Sequence, residues 1–342
     1  MSPKRRDNTT LTLLLILIIA VAANLFIYGT VNLSTMPRDA RNMRTVAQAV
    51  EEQPEPEVSD TTPKIPDNIT PLAVDSNEIH FGELVLINND HAYVDSPAPL
   101  TVKTESPVSV YGSKTSDYVI LDTSIWLNPT VIDRLNTLFA DYKAYSGKVN
   151  IMINAAYRTV EQQEAIFAEK GADIAANPGY SEHHSGYALD ICIYENGKGR
   201  TFADEEPYTW IPQNCKKYGF IRRYPEGKNA VTGITFEPWH YRYVGVPHAT
   251  YISQNDLCLE EYIDLLKQYP YEGNHLAVDA EGQSYEIYYI EASGDKTTVY
   301  VPNDKPYTLS GNNVDGFIVT VQNTVQHDAA GTDAGNAEST AA

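Results

Sequence analysis

The chain has 342 residues, 42% of them hydrophobic, with 45 acidic against 25 basic side chains and a formal net charge of −20. That is enough chain for one enzyme-sized domain with accessory segments, and enough apolar content for a packed core. The charge argues against nucleic acid as a partner, since phosphate binding needs a basic face, and against attraction to anionic lipid through the surface of the body.

The first feature in chain order is a basic segment, residues 1–10, in which Lys4, Arg5 and Arg6 precede an uncharged, mostly apolar run from Leu11 to Val31. A run of roughly 20 such residues spans a bilayer as a helix. Residues 11–31 are therefore expected to be a membrane signal-anchor, with residues 1–10 cytoplasmic and the body extracytoplasmic. Ala20-Val21-Ala22 has the character of a signal-peptide cleavage site. Against cleavage, Leu25, Phe26, Ile27 and Tyr28 carry the apolar run past it; Arg38, Arg41 and Arg44 weaken the orientation a little. Residues 32–70 read as an acidic, Pro-containing linker, with Glu51-Glu52-Gln53-Pro54-Glu55-Pro56-Glu57 at its centre.

Residues 71–270 read as the catalytic domain. Gly82 to Ile87, closed by Asn88-Asn89-Asp90, reads as a strand, and Val108 to Ile120 is β-like. From Asn128 to Tyr145 the apolar positions Val131, Ile132, Leu135, Leu138, Phe139 and Tyr142 follow helical spacing. Lys148 to Ala155 reads as a strand, and Thr159 caps a helix that runs to Lys170 and stops at Gly171. Strands are expected over Tyr187–Tyr194 and Ile234–Tyr243, and helices over Pro207–Tyr218 and Ser253–Gln268. Residues 271–325 form an accessory β-rich unit, with strands over 284–292, 297–301 and 316–321; residues 326–342 read as a disordered tail. The order lacks regular β-α-β alternation, so the fold class is α+β. Cys192, Cys215 and Cys258 are no disulfide framework. Cys192 is expected to be a buried small hydrophobe, and a pair between the other two stays open.

Two clusters carry chemistry: Ser181-Glu182-His183-His184-Ser185-Gly186-Tyr187-Ala188-Leu189-Asp190 and Glu237-Pro238-Trp239-His240. Asp190 sits inside a run that should be a buried strand, where an unpaired carboxylate is strongly unfavourable. A metal ion resolves this; so would backbone amides or Arg158. His183 converges on Asp190 if the chain bends at Gly186, and otherwise is a surface or capping histidine. His184 should point the other way. Glu237 and His240 are three apart on a strand-like segment, which alone is also consistent with a surface pair. Arg158, between a strand and a helix, can clamp a carboxylate or serve a structural ion pair. Together the clusters form a coherent zinc site: His183, Asp190 and His240 as ligands, and Glu237 as the base for a water acidified by the metal.

The spaced residues Ser181, His183, Gly186, Ala188 and Asp190, followed by Glu237-Pro238-Trp239-His240-Tyr241-Arg242-Tyr243-Val244-Gly245, resemble the VanY-type D-alanyl-D-alanine carboxypeptidases. So do Tyr157-Arg158-Thr159 with Gln163, and Arg222-Arg223-Tyr224-Pro225 leading to Thr232-Gly233. The resemblance covers residues 79–270. It implies a small zinc D,D-peptidase fold with a central antiparallel sheet and flanking helices. It implies Zn²⁺ on His183, Asp190 and His240, Glu237 as catalytic base and Arg158 as the group that binds substrate or stabilises the transition state. Ser181 and Gln163 would contact the peptide. The implied reaction removes the terminal D-Ala from a peptidoglycan stem peptide. His184 and Ser185 stand where Gln-Thr is common in the family, and Tyr187 replaces a smaller apolar residue. Alternatives within the fold are L,D-carboxypeptidase or endopeptidase activity; outside it, a non-catalytic wall-binding protein.

Overall fold

The computed structural model describes residues 65–95, 101–172 and 175–323. The expected anchor at 11–31, most of the linker and the tail at 326–342 lie outside the described residues. Among the described residues no helix is long and apolar enough to cross a membrane. Strand β1 (Ile69–Asp75) begins inside the segment read as linker and pairs antiparallel with residues 296–302 far along the chain.

The expected strand over Gly82–Ile87 is not one. Leu84, Val85, Leu86 and Ile87 are buried as its apolar run demands, but the backbone is irregular. Its polar groups are met mostly by side chains. Arg242 donates to the carbonyls of Glu83 and Val85, Asn313 donates to the Leu86 carbonyl, and the Leu84 amide donates to Ser310 Oγ. Buried backbone polar groups need partners, and here a ladder is not the only way to supply them.

The β-like stretch from Val108 reduces to a short ribbon of β2 (Val108–Ser109) and β3 (Trp126–Leu127). Helix α1 (Pro129–Ser146) buries the six apolar residues that its spacing picks out, and ends at Gly147 with φ +69°. After β4 (Ile151–Ala155), helix α2 (Val160–Lys170) starts at a capping box between Thr159 and Gln162. Strands β5 (Ala188–Glu195) and β6 (Lys198–Thr201) form a hairpin. Helix α3 (Trp210–Asn214) tightens into a 3-10 turn over Cys215–Tyr218, so the helix expected over Pro207–Tyr218 is shorter and two-part. Then come β7 (Phe220–Arg222), the single turn α4 (Asn229–Thr232) and β8 (His240–Tyr243).

Among the described residues these strands form a five-stranded antiparallel sheet, in order β4-β5-β8-β7 with β6 also on β5. One face of β5 presents Leu189, Ile191 and Ile193 to the core, with Leu135, Leu138 and Phe139 of α1. Each such side chain contributes about 1.5–3 kcal/mol on burial. Strand alternation turns Asp190 and Cys192 to the other face.

Helices α5 (Val246–Gln254) and α6 (Leu259–Leu266) replace the single helix expected over Ser253–Gln268. The break falls at Asn255–Cys258, where Asp256 takes φ +50°. Strands β9 (Leu276–Ala280), β10 (Gln283–Glu291), β12 (Tyr307–Gly311) and β13 (Gly316–Asn323) form an antiparallel sheet in order β12-β13-β10-β9, and β11 (Lys296–Pro302) is the partner of β1. Leu259, Ile263 and Leu266 of α6 share one apolar cluster with Val278, Ile287 and Ile318 of this sheet. The three cysteines are free and buried.

Candidate metal centre and active site

The sheet register sets the first two ligand candidates side by side: Asp190 on β5 lies directly opposite His240 on β8. His240 Nδ1 is 2.8 Å from Asp190 Oδ1. His183 sits in a 3-10 turn (Glu182–Ser185) that ends at Gly186, whose φ of +73° reverses the chain into β5. A side chain here is excluded twice over. The left-handed conformation disfavours it, and a Cβ would lie 2.5 Å from Asn128 Oδ1. The bend brings His183 Nε2 to 3.6 Å from Asp190 Oδ1. One ligand atom from each of His183, Asp190 and His240 falls within 4.8 Å of the others.

The remaining ring nitrogens are engaged. His183 Nδ1 is 2.8 Å from the Ala156 carbonyl, which can only accept, so Nδ1 carries the proton and Nε2 keeps its lone pair. His240 Nε2 faces Glu182 Oε2 at 3.3 Å. Carbonyl or carboxylate partners behind ligand imidazoles are the arrangement that fixes metal-binding tautomers. Two nitrogens and one carboxylate oxygen are also a donor set suited to zinc. Burial alone would lower the His240 pKa, but its bonds to Asp190 and Glu182 push it up to about 9. An imidazole held between two carboxylates calls for a cation, which a proton or a metal can supply.

Glu182 is the residue that sequence reasoning passed over. It is fully buried and accepts from Arg223 Nε at 2.7 Å and Arg242 Nη1 at 2.8 Å. Arg223 in turn forms a bidentate pair with Glu260, at 2.6 and 2.8 Å. Burial raises the Glu182 pKa, but Arg223 and Arg242 outweigh it and hold the carboxyl well below its usual range. The sequence signal was a pair of arginines on or beside strands that must be buried; their partner lies 41 and 60 positions earlier.

Around this centre is a cavity of about 440 Å³, whose walls include Arg158, Gln163, Ser181, Tyr224, Glu237 and Trp239. Glu237 lies in the turn before β8, not on a strand, with its amide bonded to the Tyr224 carbonyl. Burial raises its pKa from the ordinary glutamate value. Arg158 faces Asp190 and Glu237. Among the described residues neither the Arg158 guanidinium nor the Glu237 carboxylate has a hydrogen bond or ion pair, so the pairing of Arg158 with Asp190 left open by the sequence is not formed. Gln163 is buried, its Nε2 donating to the Ala176 carbonyl, while its Oε1 has no partner among the described residues. Ser181 is buried at the cavity wall. His184 is tied at both nitrogens, to the Arg158 carbonyl and the Gly179 amide, and is a brace for the loop.

The D-alanyl-D-alanine carboxypeptidase (VanY) family model matches residues 124–246. A D-alanyl-D-alanine carboxypeptidase from Enterococcus faecium is 35% identical over 256 residues, covering 75% of this chain and 80% of that protein. The chain belongs to the VanY family of D-alanyl-D-alanine carboxypeptidases. Another relative, 33% identical and covering 54% of this chain and 95% of its own length, is the bifunctional D-Ala-D-Ala dipeptidase and carboxypeptidase VanXYC of Enterococcus gallinarum. The solved structure of the D,D-dipeptidase VanXYg, in complex with a D-Ala-D-Ala phosphinate analogue, matches with a TM-score of 0.64 at 30% identity. It covers 75% of this chain and 99% of that one. The VanY family model spans β3 to the start of α5 and so contains the whole ligand set.

Proposed function

We propose that this protein is a zinc-dependent D,D-carboxypeptidase that removes the C-terminal D-Ala from peptidoglycan stem peptides. The observation that carries the reading is the convergence of His183, Asp190 and His240 in one cavity with the Glu237 carboxylate and the Arg158 guanidinium, both unpaired among the described residues. His183 Nε2, Asp190 Oδ1 and His240 Nδ1 would hold the zinc, which when bound supplies Lewis acidity for water and for the scissile carbonyl. Glu237 takes a proton from the water and returns it to the leaving alanine nitrogen, so the elements of water add across the C–N bond. Its desolvated carboxyl suits a group that must both accept and give back a proton. Arg158 meets negative charge, either the terminal carboxylate of the peptide or the oxygen of the carbonyl under attack. Ser181 and Gln163 line the path of the peptide.

The test is incubation of the zinc-loaded protein with a stem pentapeptide ending in D-Ala-D-Ala, followed by mass spectrometry. Loss of one alanine, abolished by a chelator and restored by added zinc, is the expected result; cleavage that survives the chelator would overturn the reading. We also propose that Leu11–Val31 anchors the enzyme with its catalytic unit outside the membrane, supported by the basic cluster before the run and by a wall substrate. Activity should then sediment with membranes after a carbonate wash, and activity released by the wash would rule the anchor out.

A further inference from the structure

We propose that a second cavity, between the open edge of β12 and strand β1, binds a short free peptide. The peptide lies as an added strand on β12, with its terminal ammonium on Glu83 and its terminal carboxylate toward two lysines. The site shares no lining residue with the metal cavity and is independent of the carboxypeptidase reading.

The cavity, of about 380 Å³, has the size of a small-ligand site. One wall is Tyr307, Thr308 and Leu309 of β12, an edge strand that among the described residues pairs only with β13. Two bonds fix which of its backbone groups are free. The Asn312 amide donates to the Gly316 carbonyl and the Gln322 amide to the Pro306 carbonyl, so the even-numbered residues from 306 to 312 bond toward β13. By antiparallel alternation, the amides and carbonyls of Tyr307, Leu309 and Gly311 point the other way. The Gly311 amide does so, donating to the Phe81 carbonyl. Those of Tyr307 and Leu309 have no partner among the described residues, and they border the cavity. An extended peptide laid along them gains ladder hydrogen bonds that the fold itself leaves unmade.

Another wall carries Glu83, the charge left unmatched in this region. Arg242 is met by Glu182 and Arg223 by Glu260, while Arg134 and Glu105 act on Glu83 in opposite directions. Among the described residues the Glu83 carboxylate has no hydrogen bond or ion pair. Burial outweighs the pull of Arg242 and Arg134 and pushes its pKa up to about 7. The residue keeps some accessible surface, and it opens on the cavity. A desolvated carboxylate without a partner is costly, and an ammonium brought to it offsets that cost. Lys103 is exposed and has no ion pair among the described residues, and Lys305 has a neutral partner in Asn323 Oδ1, so both keep their charge for an anion. A simple diamine would be repelled by these lysines. A peptide with both ends free answers both signs, whereas the N-terminus of a protein brings no carboxylate to the lysines.

The experiment is calorimetry on the full-length, zinc-loaded protein with L-Ala-L-Ala-L-Ala, its N-acetyl derivative and its C-terminal amide. The free peptide is expected to bind. Acetylation of the peptide and Glu83→Gln in the protein should each weaken it about tenfold or more, the effect of losing a hydrogen bond to a charged group, and amidation should weaken it about threefold. Leu309→Pro removes one outward donor from β12, where an edge strand tolerates proline. It should weaken the peptide about fivefold and leave turnover of the pentapeptide within about twofold. Glu83→Gln keeps the size of the side chain and covers the case in which Leu309→Pro misfolds. No heat from the free peptide, or equal affinity for its acetylated form, would overturn the site. Binding lost in Arg158→Ala but kept in Glu83→Gln would put the peptide in the metal cavity and overturn it too. An amide as tight as the free peptide would overturn the short occupant in favour of a longer chain, and a folded Leu309→Pro protein that binds normally would overturn the added strand.

Discussion

Glu237→Gln is expected to lower kcat on the pentapeptide by about 10²–10⁴-fold, the range for loss of a general acid–base group. Zinc stoichiometry and KM should stay within about twofold of the parent. The contrast between kcat and metal content follows from where the carboxylate sits. Glu237 is in the turn that precedes β8, its carboxylate unbonded among the described residues, while the three ligand candidates are held by a strand register and a 3-10 turn. The amide keeps the volume and polarity of the side chain, so the cavity and the nearby Tyr224 have no reason to move. What is lost is the ability to accept a proton. If zinc binding fell with activity, Glu237 would be a ligand and the three-residue set would be wrong. If activity stayed, the base would have to be sought among the other carboxylates, and the remaining ones at this site, Asp190 and Glu182, are already engaged.

Much of this site was legible in the sequence for local reasons. The position of His183 relative to Asp190 depends on one bend, and Gly186 marks it. The pairing of Asp190 with His240 depends on two strands whose apolar alternation gives their faces away. Helix α1 was readable because six apolar side chains repeat at helical spacing between Pro129 and Gly147, and α2 because Thr159 and Gln162 form its cap. The failures share a different cause. Gly82–Ile87 looks like a strand because it is apolar and buried, yet its polar backbone is served by Arg242, Asn313 and Ser310, all distant in the chain. The expected helix over Ser253–Gln268 breaks at Asp256, where neither glycine nor proline gives warning. The pairing of β1 with β11 spans most of the domain, and nothing in either segment names the other. Long-range polar pairing leaves no periodicity behind, and that is why Glu182 was missed.

Glu182→Gln is expected to harm both the fold and the metal site. Removing one partner from a buried ion pair costs about 3–5 kcal/mol, because the opposite charge is left uncompensated. Here two guanidinium groups lose that partner: Arg223 keeps its bidentate bonds to Glu260, and Arg242 keeps its bonds to backbone carbonyls. The midpoint of thermal unfolding should fall by about 6–20 °C, at the 2–4 °C per kcal/mol typical of folded units of 150–250 residues. Independently of stability, zinc should bind about 10–100-fold more weakly, the usual effect of removing the group behind a ligand histidine. The reason lies at His240 Nε2, which faces the Glu182 carboxylate and so leaves Nδ1 to the metal side. Equilibrium dialysis on the folded fraction separates the two effects. A matched change on the surface, Glu195→Gln, breaks the exposed pair with Arg200 and should move stability by less than about 1 kcal/mol, with no effect on zinc. Were the two substitutions to behave alike, the network of Glu182, Arg223, Arg242 and Glu260 would not be what holds His240 in place.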